Sequence, residues 1–145
     1  MAFNLFKPLS ESFFSEEEDK SIVEAIKKAE KNTSGEIRIH LESKSKKEVE
    51  SRAWEVFKKL QMFKTQQRNG VLIYMAIKDH KFAIVADEGI NKIVPEGFWD
   101  DTASILSQAF QKGDFVGGLS GAVTSIGSKL KEFFPYEEDD ENELP

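Results

Sequence analysis

The sequence predicts a single-domain α/β sandwich with one mixed β-sheet. Its length of 145 residues fits one domain with a sizeable core. Four segments carry apolar residues at spacings of three and four, which is typical of amphipathic helices. Three segments resemble strands: residues 37–41 alternate apolar and polar side chains, whereas residues 71–77 and 82–86 are apolar throughout, as expected of strands that helices cover on both faces.

The first half of the chain is predicted to fold as helix, strand and helix. Ser15 and Glu18 have the spacing of a capping box, so a helix is expected to begin here and to stop near residue 32. A strand begins at Glu36, after a polar turn. A second capping box, at residues 45–48, predicts the start of the second helix.

The second half completes the sheet and adds two helices. The first strand, the second helix and the strand from Val71 form a β-α-β unit, so these two strands are predicted to run parallel. Residues 78–81 are short enough for a hairpin turn, which makes the third strand antiparallel. Further helices are expected over residues 100–112 and from Asp114 to Pro135. The predicted order is α-β-α-β-β-α-α, with about four main helices.

Composition indicates the limits of the domain and excludes several classes of protein. We expect one domain over residues 1–135 and an acidic, disordered tail over residues 136–145. The absence of cysteine excludes disulfides and thiolate metal ligands. The formal net charge of −6 disfavours nucleic-acid binding, and the lysine run 44–47 is too short to change this. No apolar stretch approaches the ~20 residues of a membrane span, and no export signal is recognisable. We therefore expect a cytoplasmic protein without direct membrane insertion.

The predicted sheet gathers polar residues at one edge. Two parallel strands start at this edge, and the antiparallel third strand ends there. The residues that flank these strand ends are therefore expected to converge: Glu36, Arg68, Asn69, Asp87 and Glu88. The loop of residues 90–99 begins at the same edge and delivers Asp100 and Asp101 to the start of a helix.

Several carboxylates on one rim favour a cation site. Like charges raise one another's pKa, a cost that a proton, a basic side chain or a bound cation relieves. Oxygen ligands without His or Cys favour Ca²⁺ or Mg²⁺ over zinc or copper. The predicted metal ligands are Glu36, Asp87, Glu88, Asp100 and Asp101.

Each of these residues also has a purely structural alternative. Residues 87–89 can form a turn with Gly89 at positive φ, and Asn69 and Gly70 can form a turn before a strand. Asp100 or Asp101 can serve as a helix N-cap.

Other catalytic schemes are disfavoured. His40 is predicted on the polar face of the first strand, and His80 at the hairpin tip, at the end opposite Asp87, so a Ser/His/Asp triad is hard to assemble. The sequence contains neither a Gly-x-x-x-x-Gly-Lys-Ser/Thr phosphate loop nor a Gly-x-Gly-x-x-Gly motif.

Five short elements, in order and spacing, resemble the TPM domain family over residues 9–135. They are Thr33-Ser34-Gly35-Glu36-Ile37, Arg68-Asn69-Gly70-Val71-Leu72, Ala86-Asp87-Glu88-Gly89-Ile90, Phe110-x-x-Gly113-Asp114-Phe115 and Leu130-x-x-Phe133-Phe134-Pro135. The resemblance implies a Rossmann-like α/β/α sandwich with a divalent cation near the Asp87 edge. It also implies acid phosphatase activity, described for plant members, and, for short cytoplasmic bacterial forms, a membrane-protein partner of the LemA type.

Two functional hypotheses follow. In the first, the protein is a regulatory or adaptor module in which Ca²⁺ or Mg²⁺ at the predicted ligands orders the loop of residues 90–99. In the second, it is a metal-dependent phosphatase that hydrolyses phosphomonoesters, with the ion activating water. The predicted phosphate or loop contacts are Arg68, Asn69 and Lys92.

Overall fold

A computed structural model describes residues 13–136 of the chain. The predicted acidic tail therefore lies outside the described residues, except for Tyr136. The helices are α1 (Glu16–Glu30), α2 (Val49–Lys59), α3 (Glu88–Asn91), α4 (Asp100–Lys112) and α5 (Phe115–Phe133). The strands are β1 (Glu36–Glu42), β2 (Gly70–Ala76) and β3 (Lys81–Ala86), and a short 3₁₀ helix spans Met62–Lys64.

The three strands form one mixed sheet in the order β1-β2-β3. β1 and β2 run parallel, with Glu36 opposite Gly70. β2 and β3 run antiparallel, with Val71 opposite Ala86. The predicted β-α-β unit and hairpin are therefore confirmed, and the starts of β1 and β2 share an edge with the end of β3.

Helices cover both faces of the sheet. α1, α4 and α5 pack on the face that carries Ile37, Ile39 and Leu41 of β1, and α2 packs on the opposite face, against Leu72 and Tyr74 of β2. Every residue of β2 is buried. This explains why β2 is apolar throughout, and it confirms the predicted sandwich.

Two predicted caps hold the helix boundaries. Ser15 and Glu18 form the reciprocal capping box at the start of α1. Asp114 caps α5 by accepting a hydrogen bond from the Gly117 N–H at 2.9 Å. α4 ends at Gly113, whose φ of 74° is a left-handed conformation that favours glycine.

The second predicted capping box is wrong. α2 begins at Val49, and its N-cap is Glu48, whose carboxylate accepts from the N–H groups of Glu50 and Ser51. The Ser45 N–H instead donates to the Asp79 carboxylate at 2.8 Å, and its hydroxyl donates to the Lys47 carbonyl at 2.6 Å. These bonds hold Ser45 in the loop after β1, away from the helix start.

Candidate functional site

The candidate site lies where β3 ends beside the start of β2. The Asp87 N–H donates to the Gly70 carbonyl at 2.9 Å, so Asp87 extends the β2–β3 ladder. Its carboxylate then caps α3 by accepting from the Glu88 N–H at 2.8 Å. Asp87 is thus fixed by the sheet on one side and by a short helix on the other.

Arg68 joins the two acidic residues at this position. Its Nε and Nη2 donate to the two carboxylate oxygens of Asp87 at 2.7 and 2.9 Å. Its Nη1 donates to Glu88 Oε1 at 2.7 Å. The hydrogen bonds that Arg68 donates to Asp87 are the main reason why the pKa of Arg68 is raised. We call Arg68, Asp87 and Glu88 the arginine–acid triad.

Gly89 holds the triad together through its lack of a side chain. Its N–H donates to the Arg68 carbonyl at 2.9 Å. A Cβ at this position would lie 2.0 Å from the Gln67 carbonyl oxygen and 2.6 Å from that of Arg68. The alternative of a turn with Gly89 at positive φ is wrong, since positive-φ glycines in residues 13–136 are Gly97 and Gly113. Close approach of two backbones, rather than φ, requires glycine here.

Arg68 itself has a left-handed backbone, with φ of 51°. Few non-glycine residues adopt this conformation, and it is maintained only where neighbouring contacts fix it. Here the Gly89 hydrogen bond and the pair with Asp87 hold the backbone and the side chain of Arg68.

Glu36 belongs to a separate buried group at the same sheet edge. Its carboxylate lies 3.8 Å from Arg38 Nη1, which also lies 3.6 Å from Glu30. Burial raises the pKa of Glu30. In the sheet, Gly70 of the central strand lies between Glu36 and Asp87, and Met62 packs against it. Glu36 and Asp87 are thus separated by one strand. The topology brings Glu36 to the predicted edge, where it pairs with Arg38.

Glu30 and Arg38 also bind the outer side of β1. Glu30 Oε2 accepts from the Ile37 N–H at 2.7 Å, and Arg38 Nη1 donates to the Ile37 carbonyl at 3.1 Å. The backbone N–H and carbonyl of Ile37 are therefore both hydrogen-bonded to side chains.

Asn69 is the buried polar residue next to Arg68. Its N–H donates to Thr65 Oγ1 at 3.0 Å, and its Nδ2 donates to Ser34 Oγ at 3.2 Å. Its Oδ1 is buried without a hydrogen-bond partner. A buried carbonyl oxygen of this kind is an available acceptor for a cation or a water molecule.

The remaining predicted residues lie along the chain beyond α3. Asp101 pairs with Lys129 at 3.0 Å, and this hydrogen bond lowers the pKa of Asp101. The Lys129 ammonium also lies 4.8 Å from the centroid of the Phe98 ring. Asp100 begins α4 and lines a cavity of about 320 Å³ together with Asn91 of α3. Lys92 is exposed and caps the C-terminus of α3.

A second polar cluster, at the opposite end of the sheet, was not predicted. Tyr74 donates to Glu42 Oε1 at 2.5 Å, and Arg52 donates to both oxygens of Glu42 at 3.0 and 2.5 Å. His40 Nε2 lies 3.2 Å from Glu42 Oε2. The Arg52 bonds are the main reason why the pKa of Glu42 falls to about 2, and burial lowers the pKa of His40. Alternation along β1 places His40 and Glu42 on one face, but their partners come from distant segments.

The sequence of the chain matches the TPM domain over residues 10–129. This match covers most of the chain. The protein belongs to the TPM domain family. A search of the curated proteins gave no match.

Solved structures agree with this family assignment. The NMR structure of the BA42 protein from the psychrophilic bacterium Bizionia argentinensis is 47% identical, covers 93% of each chain and has a TM-score of 0.87. The N-terminal domain of cg2496 from Corynebacterium glutamicum is 15% identical, with 81% of this chain and 74% of that chain covered and a TM-score of 0.66. An N-terminal domain from P. gingivalis is 14% identical, with 85% and 80% covered and a TM-score of 0.68. The last two show the fold alone.

The described part of this TPM domain has neither a ready-made metal cluster nor a helix suited to a membrane. Within residues 13–136, no group of three or more His, Cys, Asp or Glu residues is arranged to hold a metal ion. In the same residues, no helix has both the length and the apolar character that crossing a membrane requires.

Proposed function

We propose that this TPM domain is a regulatory or adaptor module that responds to a divalent cation, with the arginine–acid triad as its site. One observation supports this most: the consecutive carboxylates of Asp87 and Glu88 share a single guanidinium. Two negative charges against one positive charge leave a local excess that favours a further cation. The guanidinium of Arg68 neutralises the same oxygens that an ion would bind.

The chemistry of the donors suits Ca²⁺ or Mg²⁺. Asp87 and Glu88 supply carboxylate oxygens, and Asn69, next in the chain to Arg68, has a buried Oδ1 without a partner. Both ions prefer oxygen ligands. Because the described side chains do not form a complete metal cluster, we expect moderate affinity, with solvent oxygens as additional ligands.

Arg68 is able to leave the triad without disturbing the backbone. Its side chain is 42% exposed, whereas that of Asp87 is 5% exposed. Its carbonyl remains bonded to the Gly89 N–H. When the guanidinium turns toward solvent, Asp87 still caps α3. A new partner on the Asp87 carboxylate therefore acts directly on α3 and on the loop that follows it.

The other predicted ligands contribute less to this proposal. Glu36 and Asp101 have their own basic partners, Arg38 and Lys129. Asp100 lines the cavity that Asn91 of α3 also lines, and its role as a ligand stays a prediction.

A calcium titration followed by amide chemical shifts tests the proposal. In the wild-type protein, Ca²⁺ should shift the amides of residues 68–70 and 87–91. Asp87→Asn should abolish these shifts. Arg68→Gln should tighten Ca²⁺ binding by about tenfold, because it removes a competing charge-assisted pair.

Glu55→Gln is the matched control. Glu55 also accepts hydrogen bonds from basic side chains, namely Lys47 and Arg52, but it lies in α2 beside the other end of the sheet. Its removal should leave Ca²⁺ binding unchanged. Absence of shifts with both Ca²⁺ and Mg²⁺, or equal affinity of wild type and Arg68→Gln, would contradict the proposed site.

We do not propose the phosphatase alternative. No contact of the described residues favours it: Arg68 donates to Asp87 and Glu88, and Lys92, the other cation predicted to hold phosphate, is exposed at the end of α3. The LemA-type partner remains a proposal for the adaptor role, since α3 and the following loop offer the surface that the ion would alter.

A further inference from the structure

A cleft opens at the C-terminal end of β1, away from the arginine–acid triad. One cavity there, of about 310 Å³, is lined by Glu42, Lys44, Lys46, Lys47, Arg52 and Glu55. A second cavity, of about 710 Å³, shares Glu42, Lys44 and Lys46 with the first and adds Phe13 and Leu41. We call the two cavities together the lysine cleft. In α/β folds, the C-terminal ends of parallel strands are a common place for ligand binding.

The lysine cleft is positively charged in a chain whose formal net charge is −6. Four basic residues line it against two carboxylates. Arg52 and Lys47 are paired with Glu42 and Glu55.

Lys44 and Lys46 supply the excess charge. Among residues 13–136, neither has an acidic partner within ion-pair distance, and both side chains are exposed. Within the described residues, the cleft therefore holds two ammonium groups that form no ion pair, although the Asp79 carboxylate lies nearby on the Ser45 N–H.

The floor of the cleft is rigid. Glu42 receives hydrogen bonds from Arg52 and from the fully buried Tyr74, so its charge is already balanced. Although Glu42 and Arg52 are partly exposed, their shared hydrogen bonds, together with the bond from Tyr74, favour one arrangement of these side chains. An anion entering the cleft therefore meets Lys44 and Lys46, with Arg52 behind them, rather than a free carboxylate.

The loop that carries the lysines is held in place at several points. The Ser45 N–H donates to Asp79 at 2.8 Å, and the Lys78 N–H donates to the Ser43 carbonyl at 2.8 Å. The Ser45 hydroxyl donates to the Lys47 carbonyl. This anchoring lowers the entropic cost of bringing Lys44 and Lys46 to one ligand.

We propose that the lysine cleft binds a small organic dianion that carries an apolar group. Two ammonium groups outside any ion pair match two negative charges, and the partly buried Phe13 provides a wall for the apolar part, with the buried Leu41 behind it. The cavity volumes lie within the range of small-molecule sites. A phosphate monoester and a dicarboxylate share this chemistry, and phenyl phosphate and phthalate serve as probes that distinguish them.

Amide chemical-shift titrations test the proposal with phenyl phosphate, phthalate, benzoate and inorganic phosphate. Phenyl phosphate or phthalate should shift residues 42–47, and the tighter of the two identifies the anionic group. Benzoate, with one charge, and inorganic phosphate, without a ring, should each bind about tenfold more weakly than the better dianion.

Lys44→Gln/Lys46→Gln should weaken binding of the better dianion by about tenfold or more. Lys58→Gln/Lys64→Gln is the control, because it removes the same charge from exposed lysines at the other end of α2 and beyond. An unchanged amide spectrum outside the cleft will verify that each variant is folded. Equal binding by wild type and Lys44→Gln/Lys46→Gln, or shifts that map to another surface, would overturn the proposal.

Discussion

Tyr74 on the central strand donates its hydroxyl hydrogen to the carboxylate of Glu42 at the end of the outer strand, at 2.5 Å. Tyr74 is fully buried, and this burial, with the adjacent carboxylate, raises its pKa to about 12. The phenol therefore stays protonated and remains a hydrogen-bond donor at neutral pH. The pair links β1 to β2 through side chains as well as through the backbone.

Tyr74→Phe should destabilise the domain by about 1–2 kcal/mol, because Glu42 loses one donor but keeps Arg52. The measurement is the urea midpoint of unfolding at neutral pH. Tyr136→Phe is the control, since Tyr136 is 50% exposed and its hydroxyl can bind water. Equal midpoints for Tyr74→Phe and wild type would contradict the role of this hydrogen bond.

The contribution of Glu42 to stability should disappear in acid. Its pKa is lowered from 4.5 in a free side chain to about 2 in the folded protein. A lowered pKa means that the ionised form stabilises the fold above pH 4.5 and that this contribution is lost as the pH falls from 4.5 toward 2. Urea unfolding of wild type and Glu42→Gln at several pH values tests this. The difference in the free energy of unfolding should shrink across that window, whereas a constant difference would be inconsistent with it.

Substitution by alanine should destabilise the domain to different extents at two glycines. Gly89→Ala should cost about 3 kcal/mol or more, because its Cβ would collide with the Gln67 and Arg68 carbonyls. Gly113→Ala should cost about 1–2 kcal/mol, since the space there is open and only the left-handed φ is unfavourable. Denaturant unfolding measures both. If Gly89→Ala lowers the free energy of unfolding no more than Gly113→Ala does, the result would contradict the close approach of α3 to residues 67 and 68.

Lys129→Met should raise the pKa of Asp101 toward its ordinary value. Asp101 is held below that value mainly by its hydrogen bond to Lys129. Methionine keeps the apolar stem of the side chain but removes the ammonium group, which lies 4.8 Å from the centroid of the Phe98 ring. An NMR titration of the Asp101 carboxyl group gives the pKa directly, and Lys131→Met serves as the control on the same helix. A pKa that stays low in Lys129→Met would mean that another group holds it.

The sequence was sufficient to predict the elements whose causes are local. Ser15 with Glu18, and Asp114 before α5, act within one helical turn, so both helix starts were correct. The uninterrupted apolar run of β2 correctly predicted a strand covered on both faces, whereas β3, for which the same was predicted, is only half-buried over residues 82–84. The start of α2 was missed because Asp79, 34 residues away, binds the Ser45 N–H and keeps it in a loop.

The candidate site shows the same division between local and distant causes. Strand directions were sufficient to predict that Arg68 and Asp87 lie at one edge. That Arg68 would bind both oxygens of Asp87, and that Glu36 would turn to Arg38, depends on side-chain positions that periodicity does not specify. The lysine cleft was missed for a related reason: Lys44 and Lys46 are visible in the sequence, but the Tyr74 and Arg52 contacts beneath them are not.

The hydrogen bonds from Glu30 and Arg38 to Ile37 have a consequence for association between molecules. β1 is an outer strand of the sheet in the described part of the chain, and outer strands expose backbone groups on which a foreign strand can grow. At Ile37 those groups are already taken by charged side chains. A neighbouring copy would have to displace a half-buried glutamate and a buried arginine before it could pair with β1 at Ile37, so the outer strand is protected at this point against fibril-like stacking.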